Sequence, residues 1–358
     1  MREMKLPSIA LVAPSLEILG GQGVQAHALA GALRNDGYEV TLLPVNPRFP
    51  PGLQWLRRYP YVRTLLNQSL YLPSLLRLRR ADVAHVFSTS YWSFLLSPVP
   101  AILAARGLGK RIVLHYHSGL AEDHLANWGT LVHPWLRLVD EIVVPSVYLR
   151  NVFARHRYRA LVIPNVVDTS RFRYRERLPL RPHLLSTRNL ESFYRVDNTL
   201  EAFVLLKARY PKAILTIAGY GREEGRLRRL AASLGSDGIR FVGRVEPEDT
   251  PGLYDEADIF VNSSVVDNQP VSVLEAFASG LPVVSTGTGD ISNMVHDGET
   301  GLLVPPGDPA AMAKAVTSLM ENQDLALCMA RRAKQEIEQY TWPRVREQWA
   351  ALYSGTPA

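Results

Sequence analysis

Short apolar runs alternate along the whole chain with longer stretches whose apolar residues recur at helical spacing. Continuous runs of this length indicate strands buried on both faces of a sheet, and the stretches between them indicate helices that cover those faces. The alternation therefore predicts an α/β fold with doubly wound parallel sheets. The predicted strands are residues 8–13, 39–43, 82–87, 111–116, 140–145 and 161–168 in the first half, and 183–187, 213–218, 239–245, 258–261, 282–285 and 297–304 in the second.

The helical stretches are punctuated by glycine, proline and serine. Helices are predicted over residues 21–35, 92–106, 270–279, 308–320, 324–339 and 342–353. The segment 171–182 is rich in Arg and Pro and has neither pattern, which is typical of a linker. A chain of 358 residues is long enough for two cores. We therefore predict an amino-terminal domain over residues 1–175 and a second domain over residues 176–340.

Composition places the chain among globular proteins. It is 47% hydrophobic and 21% charged, and its single cysteine, Cys328, excludes an internal disulfide and a cysteine cluster for zinc. The first residues run into a strand without the pattern of a secretory signal, and no apolar run reaches the length of a membrane span. From these features we expect a cytosolic protein.

The two halves of the chain carry opposite charge. Residues 1–180 hold 22 Lys and Arg against 11 Asp and Glu, whereas residues 181–358 hold 18 against 23. A basic half attracts anionic ligands or surfaces over long range. We therefore expect the first half to face something anionic.

The basic charge is concentrated in a segment of residues 48–80 that mixes arginines with aromatic and leucine side chains and holds no acidic residue. Such a segment suits the headgroups of an anionic membrane, which would place the protein at the inner face of a cell membrane. Nucleic acid would accept the same charge, but no nucleic-acid-binding motif accompanies it. The alternative is a pair of helices packed on the domain with a solvated arginine face.

A glycine-rich loop after the first strand opens a helix. Gly21 and Gly23 lie in it, and such a strand–loop–helix unit cradles a phosphate or a sugar. A nicotinamide-binding unit would need an acidic residue at the end of the second strand, but that strand continues as Leu43, Pro44 and Val45. A plain tight turn remains the alternative.

The most informative stretch is residues 265–285, which reads as loop, helix and strand. Asp267 lies in the loop, Pro270 fits the first helical turn, and Glu275 follows Asp267 by eight positions. A helix amino terminus attracts phosphate, and a carboxylate can accept the two hydroxyls of a ribose. Alternatively, Asp267 only caps the helix and Glu275 is a solvated helical residue.

This stretch resembles the signature of retaining glycosyltransferases of the GT-B fold, family 4, in which two acids precede a helix with Ala and Gly and a Pro-Val-Val strand. The first acid here is Asp267 where the family usually has Glu. The resemblance extends over nearly the whole chain. It implies two Rossmann-like domains that face a central cleft, and a final helix over 341–358 that crosses back to the first domain.

The resemblance implies a role for each matching residue. Glu275 would bind the nucleotide ribose, and Asp267 would lie by the donor sugar. His117, which follows the 111–116 strand, would contact that sugar as a catalytic residue together with Asp267 and Arg188. The remaining residues implied at the nucleotide sugar are Gly21, Gly23, Gly219, Val245, Asn268, Gln269, Pro270 and Val271.

The donor diphosphate needs positive charge. Family members place an Arg after the first strand of the second domain, which Arg188 matches, and a Lys about six residues later. That Lys position falls at Tyr194, so we expect Arg195 beside it to supply the second charge. No Asp-x-Asp motif is present. We therefore expect no metal in the chemical step and no cofactor besides the nucleotide-diphosphate sugar.

The implied function is transfer of a sugar to an acceptor hydroxyl with retention of configuration, in cell-surface polysaccharide or glycolipid synthesis. The acceptor would be a carbohydrate or a lipid-linked molecule, and no nucleic acid is expected as a partner. Two alternatives stay open. One is a GT-B nucleotide-sugar epimerase, which needs no acceptor, and the other is a two-domain protein that binds a sugar without chemistry.

Overall fold

The computed structural model describes residues 6–17, 20–235 and 237–355, and it divides into two compact units. The first unit extends to Pro164 and also takes the chain from Val345 onward, whereas the second unit is Asn165–Arg344. Its boundary lies eleven residues before the predicted one at 175. The reason is local: the amide of Asn165 donates to Gln269 Oε1 (2.6 Å), and the amide of Val167 donates to the carbonyl of Tyr340 (2.9 Å).

The first unit is built on a six-stranded parallel sheet in the order β2-β1-β3-β4-β5-β6. Its strands are β1 (Ile9–Ala13), β2 (Val40–Pro44), β3 (Val83–Ser88), β4 (Arg111–Tyr116), β5 (Glu141–Val144) and β6 (Leu161–Val162). Its helices are α1 (Gly21–Asn35), α2 (Pro60–Ser74), α3 (Trp92–Leu96), α4 (Pro98–Gly107), α5 (Ala121–Asn127), α6 (Gly129–Leu136) and α7 (Val147–Arg155), with 3-10 turns at Gln54–Arg58 and Leu75–Arg80.

The second unit repeats this plan in the order β12-β11-β10-β7-β8-β9. Its strands are β7 (His183–Thr187), β8 (Ile214–Ala218), β9 (Ile239–Gly243), β10 (Ile259–Asn262), β11 (Val283–Thr286) and β12 (Leu302–Val304). Its helices are α8 (Val196–Arg209), α9 (Glu224–Ser233), α10 (Thr250–Glu256), α11 (Val271–Ser279), α12 (Ile291–Met294), α13 (Pro309–Glu321) and α14 (Gln323–Glu336), with 3-10 turns at Thr169–Arg171, Ser192–Tyr194 and Ile337–Tyr340. The last helix, α15 (Trp342–Ser354), begins in the final residues of the second unit and continues in the first.

Consecutive residues of a strand in the second sheet pack into hydrophobic clusters on opposite faces of the sheet, as expected when helices cover both faces. Leu184 and Ile259 pack in a cluster with α8 and α13, whereas Leu185 and Phe260 pack in a second cluster with α10, α11 and α14. Both units are therefore Rossmann-like, doubly wound α/β domains, which confirms the predicted fold class.

Two predicted helices differ from the structure. The single helix expected over 92–106 is broken into α3 and α4, because Ser97 leaves the helical region (φ −123°, ψ −63°) and Pro98 has no amide hydrogen to continue the ladder. The helix expected over 324–339 ends at Glu336 and continues as a 3-10 turn.

The arginine-rich segment 171–182, predicted to be a linker, belongs to the second unit and is held there by Asp258. Its side chain, 1% exposed, accepts hydrogen bonds from Arg181 Nε (2.7 Å) and Arg175 Nη2 (3.1 Å), and it lies 3.7 Å from Arg177 Nε. These contacts hold the pKa of Asp258 below its ordinary value against the opposing effect of burial. Asp258 therefore fixes the start of β10, whose other end leads into the loop of Asp267.

Candidate active site

The predicted acidic loop lies at the point of the second sheet where the strand order changes direction. β7 and β10 are neighbours, yet the chain proceeds from β7 to β8 on one side and from β10 to β11 on the other. Ligands of open α/β sheets bind beyond the carboxyl ends of strands at such a switch point. Arg188 directly follows β7, and Asp267 lies in the loop that follows β10.

Arg188 and Asp267 form a buried ion pair, and each is 9% exposed. Arg188 Nη2 donates to Asp267 Oδ2 at 2.5 Å, and its Nη1 donates to Ser272 Oγ at 3.2 Å. The guanidinium carbon lies 4.0 Å from the centre of the Tyr194 ring. Burial opposes the positive charge, but the carboxylate outweighs it and leaves the pKa of Arg188 above its ordinary value.

The hydrogen-bonding capacity of Arg188 is not fully used. Its Nε is buried and has no hydrogen-bond partner among the described residues. A buried donor without a partner is costly in a folded protein, and a bound ligand that accepts its hydrogen bond would remove that cost. This donor is part of a guanidinium, and it lies near the amino terminus of α11. The chemistry of the position therefore fits an anion.

Two glycines let loops approach this pair closely. A Cβ on Gly219 would lie 2.0 Å from the carbonyl oxygen of Arg188, and a Cβ on Gly289 would lie 1.7 Å from that of Asp267. Both glycines also have positive φ, at +150° and +60°. The glycine turn after β8 and the Thr288–Gly289 loop are therefore fitted around the ion pair.

Glu275 lies one helical turn beyond Ser272, in a shell of hydroxyl groups. Its Oε2 accepts a hydrogen bond from the phenol of Tyr254 at 2.8 Å, and Thr187 Oγ1 is 2.6 Å from the same phenol oxygen. Burial raises the pKa of Glu275 to about 7, although Tyr254, Arg171 and Arg188 act in the opposite direction. Burial and the carboxylate together raise the pKa of Tyr254 well above its ordinary value. Glu275 is half-buried and its carboxylate is held by Tyr254, so the alternative of a freely solvated helical residue does not describe it.

The other residues of the predicted loop have structural partners. Asp267 Oδ1 accepts from the amide of Asn268 at 3.0 Å, and Gln269 binds Asn165 through both its side chain and its carbonyl. Pro270 is the N-cap of α11 rather than its first-turn residue, and Val271 begins the helix. Asp267 is thus not the cap residue itself.

Arg195 and Val245 lie at other loops of the second unit. Arg195 adopts a left-handed conformation (φ +46°) at the start of α8, where Nε donates to Asp197 Oδ1 at 3.0 Å and Nη2 to Asn198 Oδ1 at 3.0 Å. Val245 is in the loop after β9. The role predicted for Arg195 at the diphosphate remains a prediction, and it would require exchange of the contact with Asp197.

The predicted residues of the first unit follow two of its strands: Gly21 and Gly23 lie in the first turn of α1 rather than in a glycine loop, and His117 lies directly after β4. Gly21 begins α1, and the carbonyl of Gly23 lies 2.9 Å from His27 Nδ1. His117 directly follows β4, and its amide donates to the carbonyl of Ser88 at 3.1 Å. Burial lowers the pKa of His117 to about 3, so its imidazole is neutral near pH 7.

Sequence reasoning did not identify Tyr254, Thr187 and Ser272, which line the site around Arg188 and Glu275. Tyr254 is on a short helix and fits the pattern of a core aromatic residue, so its polar end gave no signal in the sequence. In the described residues no group of three or more His, Cys, Asp and Glu side chains is arranged to hold a metal ion.

Two family models match consecutive parts of the chain. Residues 19–171 match the model described as Glycosyltransferase Family 4, and residues 171–336 match Glycosyl transferases group 1. Among solved structures, Anabaena HepE in complex with UDP-glucose superposes with a TM-score of 0.77 at 16% identity, covering 98% of this chain and 100% of that one.

Three curated relatives show the range of similarity. A D-inositol 3-phosphate glycosyltransferase of Corynebacterium urealyticum is 34% identical over 44% of this chain and 39% of its own. A glycogen synthase of Mycobacterium tuberculosis is 29% identical over 94% of this chain and 91% of its own. A phosphatidyl-myo-inositol mannosyltransferase of Mycolicibacterium smegmatis is 26% identical over 96% of this chain and 93% of its own. Together with the two matched domains and the fold, these relatives establish that the chain belongs to the GT-B glycosyltransferases of the group 1/family 4 type.

Proposed function

We propose that the protein transfers a sugar from a nucleotide-diphosphate sugar to an acceptor hydroxyl, with retention of configuration. The observation that carries this proposal is the buried guanidinium of Arg188, whose Nε has no partner among the described residues. The carboxylate of Glu275, held by the Tyr254 phenol, lies on the adjoining helix. A diphosphate accepts hydrogen bonds from a guanidinium, and a ribose donates them to a carboxylate. The spacing of one helical turn between Ser272 and Glu275 suits two adjoining parts of one nucleotide.

In this proposal the second unit holds the donor. Arg188, with Arg195 as the second cation, compensates the charge that develops on the departing diphosphate, and the amino terminus of α11 adds its dipole. Asp267 holds the guanidinium of Arg188 by a charged hydrogen bond and so orients it. The turn at Gly219 and the loop of Val245 approach the nucleotide through backbone groups. Catalysis then rests on leaving-group stabilisation and alignment, without a metal ion.

Retention follows from the front-face route that the family resemblance implies. Asp267 and Glu275 lie on one loop and helix, and both carboxylates already hold partners, Arg188 and Tyr254. A double-displacement reaction would instead place a nucleophilic carboxylate and an acid on opposite sides of the sugar. His117 of the first unit is assigned to the donor sugar, and the acceptor is assigned to the first unit.

The transfer can be tested with a panel of nucleotide sugars. Thermal shift with uridine and guanosine diphosphate sugars identifies the base, because a ligand that binds only the folded state raises the melting temperature. Incubation of the best donor with saccharide and inositol-containing lipid acceptors should give a glycoside whose anomeric proton shows the donor's configuration. Inversion would contradict the mechanism, an altered sugar without acceptor would favour an epimerase, and binding without any product would favour a sugar-binding protein.

We further propose that the acceptor is presented at an anionic membrane surface. The segment 48–80 exposes large apolar side chains, among them Tyr61 (88% exposed), Leu65 (71%) and Leu76 (57%). Two of its arginines, Arg48 and Arg57, pair with Glu17. The exposed arginines of the segment that form no ion pair with a described carboxylate are Arg58, Arg63, Arg77, Arg79 and Arg80. This pattern suits the interface of a bilayer with anionic headgroups. Within the described chain no helix has the length and hydropathy needed to cross a bilayer.

The role of this segment can be measured by liposome flotation. Arg79→Gln with Arg80→Gln should weaken binding to vesicles with anionic lipid by about 2 kcal/mol, or roughly 30-fold, because each arginine contributes about 1 kcal/mol at such a surface. The matched control is Arg228→Gln with Arg229→Gln, an exposed pair on α9 of the second unit. Equal flotation of both variants, or no flotation of the unaltered protein, would contradict the membrane proposal.

A further inference from the structure

A row of buried aromatic and imidazole rings lies on one face of the first sheet. His85 is on β3 and is 0% exposed, and His115 is on β4 and is 4% exposed. Phe87 pairs with His115 across the two strands. Because side chains two residues apart point to the same face of a strand, His85, Phe87 and His115 share one face, and His117 continues that row beyond the end of β4.

Helix α15 closes this row with Trp349 and Tyr353. The Trp349 ring stacks on His85 at 5.3 Å between ring centres, and the Tyr353 phenol lies 2.7 Å from His85 Nδ1. The end of the helix is also held by Arg111 of β4, whose guanidinium donates to the carbonyls of Leu352 and Tyr353. The carboxyl-terminal helix thus reaches the histidines through a polar contact as well as through packing.

The hydrogen bonds form a chain with a definite direction. The Tyr353 phenol has one proton, and among the described residues its only hydrogen-bond partner is His85 Nδ1, so it donates to that nitrogen. His85 is neutral and must then carry its proton on Nε2, which lies 3.2 Å from His115 Nδ1. His115 in turn carries its proton on Nε2, which is buried and without a partner in the described residues. Burial lowers the pKa of both imidazoles, to about 3 for His85, which keeps the chain uncharged.

His117 packs against His115, the last residue of this hydrogen-bonded chain. Its ring centre is 4.1 Å from that of His115, and it stacks on Phe87 at 5.2 Å with an angle of 19° between the planes. Phe87 and His115 thus both pack against the imidazole of His117 and restrict its orientation. A change of tautomer or tilt at His115 would rotate His117 with respect to any ligand it contacts.

We propose that Tyr353, His85 and His115 are positioning residues for His117: their hydrogen-bonded chain fixes the orientation of the His117 imidazole from the carboxyl-terminal helix. This inference rests on the proposed function, in which His117 contacts the donor sugar. A buried polar chain is retained at a cost in stability, because apolar rings of the same shape would pack as well. Its value lies in orientation, since small errors in the position of a group that acts on the transition state reduce turnover.

The test compares three substitutions that keep a ring at each position. Tyr353→Phe and His85→Phe should each lower kcat about tenfold and change KM for the donor less than twofold, with an unchanged or higher melting temperature. Tyr38→Phe is the control, because Tyr38 packs edge-on against Tyr353 at 6.0 Å without belonging to the chain. A kcat in Tyr353→Phe and His85→Phe within twofold of Tyr38→Phe would overturn the proposal, as would a loss of kcat matched by a fall in melting temperature.

A second measurement is independent of transfer activity. In protein labelled with ¹⁵N-histidine, correlation spectra should show both His85 and His115 as neutral Nε2–H tautomers. Tyr353→Phe should shift the ring signals of His115 and His117, whereas Tyr38→Phe should leave them in place. Nδ1–H tautomers, or His117 signals that Tyr353→Phe does not move, would overturn the proposal. If no donor supports transfer while these spectra are as expected, the proposed function fails and the positioning chain stands.

Discussion

Glu275→Gln should make the protein more stable at pH 8 and at the same time weaken donor binding. The pKa of Glu275 is raised from an ordinary value of 4.5 to about 7, so the folded state binds a proton more tightly than the unfolded state. The resulting stabilisation of the folded state is complete below pH 4.5 and is lost as the pH rises from 4.5 through 7. The loss in the free energy of unfolding reaches about 3 kcal/mol above pH 7. Glutamine has no such loss. The variant should therefore gain up to about 3 kcal/mol at pH 8, about 1 kcal/mol at pH 5 and almost nothing at pH 4.

Donor binding should move in the opposite direction. A ribose hydroxyl that donates to a carboxylate contributes about 1.5–3 kcal/mol, so Glu275→Gln should weaken nucleotide-sugar affinity roughly 10- to 100-fold at pH 8. In the unaltered protein the affinity should fall toward tenfold per unit as the pH drops below 7, because the carboxyl group is then protonated. The variant should show a flat profile. Calorimetric titration with the intact nucleotide sugar between pH 5.5 and 8.5 measures both.

Tyr254→Phe is the matched control for this pH dependence. It removes the hydrogen bond that lowers the pKa of Glu275 while it keeps the carboxylate itself. The midpoint of the affinity profile should therefore shift to higher pH, with little loss of affinity at the alkaline limit. An affinity that is independent of pH in the unaltered protein, or equal in Glu275→Gln, would rule out Glu275 as the ribose ligand.

Much of this arrangement could be predicted from the chain because it depends on local pattern. The βα alternation predicts both sheets, and the loop and helix around Asp267 and Glu275 are encoded in consecutive residues. The break at Ser97–Pro98 has a local cause as well, and the proline could have marked it. The early boundary at Asn165 has a nonlocal cause, since Asn165 is fixed by Gln269, more than a hundred residues later.

Other features depend on packing between distant elements, which a single sequence does not show. Tyr254 meets Glu275 only because α10 packs on α11, and its sequence pattern is that of a core aromatic residue. His85, His115 and Tyr353 each lie in an apolar stretch, and their contact depends on where α15 meets β3 and β4. The pairing of Arg188 with Asp267 follows from the adjacency of β7 and β10. The resemblance assigned Arg188 to the diphosphate and Asp267 to the donor sugar, but the structure pairs the two side chains. The positive charge that Arg188 offers to a diphosphate therefore depends on Asp267 as well.

Arg188→Met should remove transfer and also destabilise the second unit. The substitution leaves the carboxylate of Asp267 buried without its partner, which typically costs about 3–5 kcal/mol. Denaturant unfolding measures this loss. Turnover should fall at least about 100-fold, because the diphosphate loses its fork-shaped donor at a site that is protected from solvent. A fall in activity alone would not separate catalysis from folding, so a second variant is required.

The double variant Arg188→Met with Asp267→Leu separates the two effects. Replacing a buried ion pair by apolar side chains of similar volume is often neutral or stabilising, so the double variant should recover most of the stability that the single variant loses. It should remain without transfer activity and without affinity for the nucleotide sugar. Arg188→Lys adds a graded step, because lysine keeps the charge next to Asp267 but offers no planar fork. Turnover in the double variant near that of the unaltered protein would show that the pair is structural, and the diphosphate would then have to bind elsewhere in the second unit.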